Sequence, residues 1–260
     1  MITPGTTDYD DAHALARILA DDVVWGLVKN LAASDAHLQD LQARLGVQQE
    51  VLEERLQQLE QLGLVSSRIS DANASVRYYR LQVDRLRAVI EQVVSALHPS
   101  LRLAPEPEPP PAEPARPRVL FLCTENSARS QLAEVLMRQL SHGAVEAYSA
   151  GTRPRTVNPL VAEILGEAAQ GLRSKHIDEF QGQHFDYVVT VCDRAREACP
   201  SFAGAERQIH WSIPDPAAVE SEEARLRAFS ATACELTQRI RYLLTFIEAR
   251  QRAARAVAVS

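Results

Sequence analysis

Apolar residues in the first third of the chain recur at helical spacing, in runs separated by caps and glycines. Residues 10–33 read as helices, with Ala14, Leu15, Ile18 and Leu19 forming one stripe and Val23, Val24, Leu27, Val28 and Leu31 the next. Ser34 and Asp35 are cap candidates for a helix carrying Leu38, Leu41 and Leu45, which Gly46 breaks. A further helix is expected from about Gln48 to Leu62, with Val51, Leu52, Leu56, Leu59 and Leu62 inward and Gly63 closing it. The pattern then changes period. Residues 64–69 and 76–81 read as two strands joined by the polar turn Asp71-Ala72-Asn73. A last helix carries Leu86, Val89, Ile90, Val93, Val94 and Leu97.

The stretch LRLAPEPEPPPAEPARPR (101–118) has seven prolines and cannot hold a helix or a central strand. An extended polyproline spacer is expected, separating two domains. Beyond it, apolar strands alternate with amphipathic helices. Val119 to Leu122, Val145 to Ser149, Tyr187 to Val191 and Gln208 to Trp211 read as strands, and Pro159 to Gln170 as a helix. A long final helix presents Leu226, Phe229, Ala233, Leu236, Ile240, Leu243 and Ile247 on one face. Such alternation predicts a parallel sheet covered on both sides. The tail QRAARAVAVS carries no cap or partner signal, so fraying is expected there. The domains are therefore placed at 1–100, 101–117 (linker) and 118–250, with a tail at 251–260.

Composition narrows the picture only a little. With 46% hydrophobic and 24% charged residues the chain is of ordinary globular type. The net charge of -6 argues against a generally basic nucleic-acid binder. The beginning MITPGTTDYDD lacks the basic and apolar regions of a signal peptide, and no run is long enough to span a membrane. All four cysteines (Cys123, Cys192, Cys199, Cys234) fall in the second half, which points to reduced, reactive thiols and a cytoplasmic setting.

The chemistry concentrates in CTENSARS, Cys123 to Ser130, between an apolar strand and a helix bearing Leu132, Val135, Leu136 and Leu140. A strand–loop–helix of this kind gathers the amides of Thr124, Glu125, Asn126, Ser127, Ala128 and Arg129 around an oxyanion, with the helix terminus adding partial positive charge. Arg129 supplies a planar fork for two anion oxygens. Cys123, in that field, is expected to be largely thiolate and Ser130 to donate to it, giving a nucleophile for phosphorus or arsenic. A buried cysteine beside a capping serine is the alternative, and it leaves the arginine unexplained.

Cys192 and Cys199 lie seven apart in VCDRAREACP. A helix between them would separate their Cα atoms by about 10.5 Å, against the roughly 7 Å a disulfide tolerates, so pairing requires that segment to bend or unwind. Both could instead be buried structural cysteines. Asp215, in HWSIPDPAAVE, is either a turn residue or a proton donor at the mouth of the anion loop. Cys234 is expected to pack in the last helix, and the histidines show no metal spacing. Asp84, Glu91 and His98 are too loosely spaced to favour a metal over a solvated helix face.

Residues 8–98, above all GVQQEVLEERLQQLEQLGLV followed by RISDANASVRYYRL, resemble the ArsR-like winged-helix repressors. The resemblance implies a mainly α winged helix-turn-helix, a homodimer, and DNA contacts from Gln48, Gln49 and Arg55 on the recognition helix and Arg68 and Arg77 in the wing. Two features depart from that pattern. The recognition helix bears Glu50, Glu53 and Glu54 against Arg55, and the first hundred residues hold nine basic against fourteen acidic side chains. No cysteine is present there to sense arsenite or a metal through thiolates.

Residues 118–247 resemble the low-molecular-weight phosphotyrosine phosphatase fold, and more narrowly the arsenate reductases on that fold recycled by thioredoxin. FLCTENSARSQLAE, YSAGT, VNPLVAEIL, DYVVTVCDRAREACP and HWSIPDPAAV carry the likeness. It implies a three-layer α/β domain with a four-stranded parallel sheet, no cofactor, and a thioredoxin-like thiol donor. Cys123 is then the nucleophile, assisted by Arg129, Ser130 and Asn126, with Asp215 as acid and Cys192 and Cys199 as successive redox cysteines. Glu125 stands where phosphatases carry glycine, and Ala217 follows Pro216 in place of their tyrosine. Three functions fit: an arsenate reductase with a regulatory domain, a tyrosine phosphatase with an interaction domain, and an arsenic-responsive transcriptional regulator.

Overall fold

A computed structural model of the chain describes residues 16–97, 116–198, 201–202 and 204–258, without the side chains of 95–97 and 252–258. These residues form two compact units: the first takes residues up to Ile69 and from Ala74 on to the linker, the second takes Ser70–Asn73 and the residues after the linker.

In the first unit a helical turn at 16–19 leads to α1 (Asp22–Leu31). The Asp21 carboxylate starts α1 by accepting from the Val23 and Val24 amides at 2.9 and 3.0 Å. A two-residue strand β1 (Ala36–His37), α2 (Leu38–Leu45) and α3 (Gln49–Gln61) follow. The hairpin β2 (Val65–Ile69) and β3 (Arg77–Leu81) and the helix α4 (Val83–Leu97) complete the unit. The sheet order is β1-β3-β2, antiparallel throughout. Val24, Leu27, Leu41, Leu52, Leu56 and Leu59 are fully or almost fully buried, and they are among the residues that the helical stripes single out.

The expected cap of α2 is corrected. Ala36 and His37 pair with Tyr79 and Tyr78, so extended backbone persists two residues beyond Asp35. His37 is the cap instead, accepting from the Asp40 amide at 3.2 Å, and Asp35 is buried.

The second unit alternates strand and helix. Its strands are β4 (Arg118–Cys123), β5 (Glu146–Gly151), β6 (Phe185–Thr190) and β7 (Ala205–His210). Its helices are α5 (Arg129–Leu140), α6 (Pro159–Leu165), α7 (Asp193–Ala198) and α8 (Glu222–Ala258). The four strands form one parallel sheet in the order β5-β4-β6-β7. Both faces of β4 are buried: Val119, Phe121 and Cys123 join Leu132, Met137, Leu236 and Ile240 on one side. Leu120 and Leu122 join Phe180, Phe185 and Val188 on the other. That two-sided burial is why the strand reads as an uninterrupted apolar run.

Several boundaries move. The helix from Pro159 is α-helical only to Leu165, because Gly166 (φ +57°) turns it into a 3-10 segment, Gly166–Ala169. β5 runs on to Gly151, and β6 begins at Phe185. β7 spans Ala205–His210, three residues earlier at its start than the apolar pattern indicates, since its first half is solvent-facing. The tail expected to fray is helical through Ala258 as the end of α8. Among the described residues, no helix is long and apolar enough to cross a membrane.

Asp21 also receives Arg55 Nε on Oδ2 at 3.1 Å. The two cap bonds, led by that from the Val24 amide, together with Arg55 hold its pKa below the ordinary 3.8 despite partial burial. Asp21→Ala is expected to cost about 1 kcal/mol in urea unfolding of the full chain at neutral pH. Because the folded pKa is depressed, the increment is complete above 3.8 and is lost as the pH falls below it; the gap between wild type and variant should close in acid.

Candidate active site

Three strand ends meet at the carboxyl edge of the parallel sheet. β4 delivers Cys123 as its last residue. β6 ends at Thr190, opposite Leu122, and the Val191 amide donates to the Leu122 carbonyl at 2.8 Å, so Cys192 leaves the sheet directly beside Cys123. β7 ends at His210, and the Trp211 amide donates to the Thr190 carbonyl at 2.8 Å, carrying the chain toward Asp215. Neighbouring strands lie about 4.8 Å apart. Topology alone therefore brings the two sulfurs and the acid-bearing segment together, at the edge where open α/β sheets bind ligands.

The loop from Cys123 to Ala128 has every carbonyl occupied from outside. The amides of Thr152, Arg153, Arg155, Asn158 and Leu132 donate to the carbonyls of Cys123, Thr124, Glu125, Ser127 and Ala128. The Asn126 carbonyl accepts from the Gln131 side chain and the Ser174 hydroxyl. A trans peptide sets the following N–H opposite its C=O, so these carbonyls turn the loop amides inward. Asn126 takes φ +48°, which asparagine tolerates. Gly151 lies against the loop: a Cβ there would stand 2.7 Å from the Thr124 carbonyl oxygen and 2.8 Å from the Asn126 nitrogen. The glycine of YSAGT thus permits a close approach of two backbones.

The Cys123 sulfur accepts from the Asn126 amide at 3.0 Å and lies 2.9 Å from the Ser130 hydroxyl. Asn126 Nδ2 donates to Ser130 Oγ and to Ser149 Oγ, both at 2.8 Å. Ser149 in turn donates to the buried Glu134 carboxylate, which pairs with Lys175 at 2.9 Å and with Arg138. Sequence reasoning missed Glu134, Ser149 and Lys175. The available signal was on α5, where Ser130, Gln131 and Glu134 interrupt the buried face with polar side chains.

Arg129 is nearly buried, with 11% of its side chain exposed. Its fork is not empty: one nitrogen donates to the Ile213 carbonyl at 2.9 Å and the other lies 3.3 Å from Asp215 Oδ2. Burial opposes its charge, but Cys192, Asp215 and Cys123 outweigh that and raise its pKa. Asp215 caps the 3-10 segment Pro216–Ala218 through the Ala217 amide and is half-exposed. Cys192 is buried, 3.5 Å from the Thr124 hydroxyl, and accepts from the Ala195 amide at 3.4 Å. Burial first, then the charge of Cys123, push its thiol pKa up, while Arg129 pulls it down. Cys123, Thr124, Arg129, Cys192 and Asp215 line a single cavity.

Glu125, placed where a negative charge was unexpected, is paired with Arg155 at 3.3 Å. Cys199 lies outside the described residues, as does His98. Cys234 is exposed rather than packed, a correction to its reading from the apolar stripe.

In the first unit, Gln48 caps α3 without a side-chain bond, and Gln49 Nε2 donates to Glu53 at 2.8 Å. Arg55 is engaged by Asp21 and by Glu54 at 2.9 Å, so its charge is compensated within the unit. Arg77 donates to Ser67 at 3.0 Å across the hairpin, and Arg68 lies on the neighbouring strand. Glu91 pairs with Arg87, and no metal-binding group of three or more side chains occurs among the described residues.

Residues 118–253 match the family model of low molecular weight phosphotyrosine protein phosphatases. The chain is 34% identical over 134 residues to an arsenate reductase of Halalkalibacterium halodurans, covering 50% of this chain and 94% of that protein. An arsenate reductase of Shouchella clausii is 33% identical over 129 residues, covering 47% and 91%. Among solved structures, a thioredoxin-dependent arsenate reductase of Corynebacterium glutamicum aligns at 29% identity and TM-score 0.41, over 52% of this chain and 63% of that one.

The opposing influences on Cys192 can be read in solution. Cys123→Ser removes a neighbouring negative charge and should lower the pH at which Cys192 is half alkylated by iodoacetamide; Arg129→Met should raise it. Peptide mass spectrometry resolves the sites, and midpoints unchanged in both variants would show that the two sulfurs do not sense each other.

Proposed function

The chain belongs to the low molecular weight phosphotyrosine protein phosphatase family, and from that premise we propose that its carboxyl-terminal unit reduces arsenate to arsenite with electrons from a thioredoxin-type thiol donor. The observation that carries this reading is the second sulfur. Phosphate-ester hydrolysis requires a nucleophile, an anion loop and an acid, and it gives no role to Cys192 in the same cavity as Cys123. The relatives that are about a third identical over roughly half of this chain are named arsenate reductases, which favours the same choice.

In the proposed reaction the Cys123 thiolate attacks arsenic held by the loop amides of 124–129 and by Arg129. A sulfur–arsenic bond forms and one oxygen departs as water, protonated by Asp215. Cys192, as thiolate, then attacks the Cys123 sulfur. The sulfur–sulfur bond forms as the sulfur–arsenic bond breaks, and its electron pair stays on arsenic, which leaves as arsenite. Cys199 attacks Cys192 next, freeing Cys123 and presenting a Cys192–Cys199 disulfide to the donor. The helix α7 lies between those two positions, so that last exchange requires it to unwind. Ser130 and Asn126 hold the Cys123 sulfur in place throughout.

A phosphatase is the second reading, favoured by the loop, Arg129 and the Asp215-Pro216 pair. Ala217, after Pro216, offers no aromatic wall for a phenyl ring, which counts against it.

For the amino-terminal unit we propose a winged-helix module that dimerises and regulates. Its element order and the β1-β3-β2 sheet support that reading. With Glu50, Glu53 and Glu54 beside Arg55 on α3, DNA contact would fall mainly to the hairpin arginines Arg68 and Arg77. A gel shift at low salt against DNA upstream of its own coding sequence should appear and be lost in Arg68→Ala/Arg77→Ala; no shift would leave the unit as an assembly module.

Cys192→Ala separates the two enzymatic readings. Arsenate-dependent NADPH oxidation with thioredoxin and its reductase should fall by more than about 10³-fold, as loss of a redox partner acting as a unit with the nucleophile demands. Hydrolysis of para-nitrophenyl phosphate, if present, should survive. Arsenate turnover that persisted in this variant would refute the relay.

A further inference from the structure

Behind Cys192 lies a buried polar cluster that the proposed chemistry does not use. Asp193, the first residue of α7, is completely buried. Its Oδ1 accepts from the Ser212 hydroxyl at 2.7 Å and faces His210 Nε2 at 3.2 Å. The other ring nitrogen of His210 is 2.8 Å from the Thr190 hydroxyl, and that hydroxyl also reaches the Ile209 carbonyl at 3.3 Å. All four side chains are buried. Thr190 ends β6, His210 ends β7, and Ser212 precedes Ile213, whose carbonyl receives Arg129. One carboxylate therefore ties the residue after Cys192 to two strand ends and to the segment that seats Arg129.

A buried carboxylate is costly unless it is paired and hydrogen-bonded, so such a cluster favours a single arrangement of the backbone that carries it. Of the rest of α7, Ala195 packs into the core beside Cys192, while Arg194, Glu197 and Ala198 are exposed. The Cys192 sulfur is bonded to the Ala195 amide in that same first turn.

We propose that Asp193 is a positioning residue for Cys192: with His210 and Ser212 it latches the start of α7 to the sheet, holding the Cys192 sulfur at the Cys123 loop. The inference rests on the arsenate-reductase reading for its role in turnover, but not for the latch itself. The latch makes two opposite demands. Without it α7 opens more often, so Cys192 should react faster with an outside reagent. Without it the sulfur is held less well against Cys123, so the intramolecular attack should slow.

The test compares Asp193→Ala and Ser212→Ala in the full chain, the second removing the shorter bond while leaving the carboxylate. Iodoacetamide labelling of each cysteine, without arsenate, should accelerate about tenfold at Cys192 in Asp193→Ala, and less in Ser212→Ala, through easier local opening. Cys123 labelling and inorganic phosphate affinity should stay within about twofold. In a single turnover with arsenate, formation of the Cys123–Cys192 disulfide should slow by about tenfold or more, as a misplaced reacting atom requires. Asp193→Asn keeps an acceptor oxygen and should restore much of both. Unchanged Cys192 labelling in both alanine variants would overturn the latch, as would equal changes at Cys123 and in phosphate affinity, which would mark a general loss of structure. Failure of the wild type itself to form the disulfide with arsenate would count against the reductase reading, and the labelling arm would still decide the latch.

Discussion

The constraint on which the second unit depends is the outward direction of six consecutive carbonyl groups. From Cys123 to Ala128 each C=O is held by a donor outside the loop. The donors come from the segment after β5, from the start of α6, from α5 itself and from Ser174. A loop so pinned has little freedom to turn its amides anywhere except inward, and every one of those donors belongs to the chain itself. Gly151 is part of the same constraint, because a side chain there would press on the Thr124 and Asn126 backbone. The strand order serves it too: β5 and β6 flank β4, so the loop is buttressed on one side by the chain leaving β5 and met on the other by the chain leaving β6.

Much of this was legible in the residues. The apolar run before Cys123, the serine and arginine after it and the helical stripe beyond are local features, and the local geometry follows from them. Cys192 was legible for a similar reason, since a strand that runs straight into a cysteine places it at the ligand-binding edge of a parallel sheet. What escaped was the supporting shell. Glu134, Ser149 and Lys175 lie on three different elements, and nothing in the spacing of one announces the others. His210 showed no metal spacing and was assigned no role, yet its ring joins the end of β7 to the end of β6 through Thr190 and to the start of α7 through Asp193. One helix cap failed for a subtler reason: Asp35 has the right chemistry, but strand pairing with Tyr78 and Tyr79 moved the start of α2 past it, whereas the expected stop at Gly46 holds. Local preference was overruled by a two-residue tertiary contact.

The first unit shows the same contest in its charges. Arg55 was singled out as the one cation among three glutamates, a residue with an outward role. In the folded unit it reaches back to Asp21, whose carboxylate is already capping α1. A single carboxylate thus starts one helix and ties a second to it. The tie is local electrostatics serving packing, and it removes from the helix surface the charge on which a recognition role would have drawn.

The charges around Cys192 also bear on the order of events in the proposed reaction. Burial raises its pKa, the negative charge of Cys123 raises it further, and Arg129 lowers it. In the resting site, then, burial and the neighbouring sulfur both work against ionisation of Cys192. Once Cys123 has spent its charge in a bond to arsenic, one of the two influences against ionisation disappears, while Arg129 remains. Ionisation of Cys192 becomes easier at the moment at which its attack is needed. In this reading the order of the first two attacks follows from Coulomb's law applied to Cys123, Cys192 and Arg129 in one cavity, and only the later exchange with Cys199 calls on α7 to unwind.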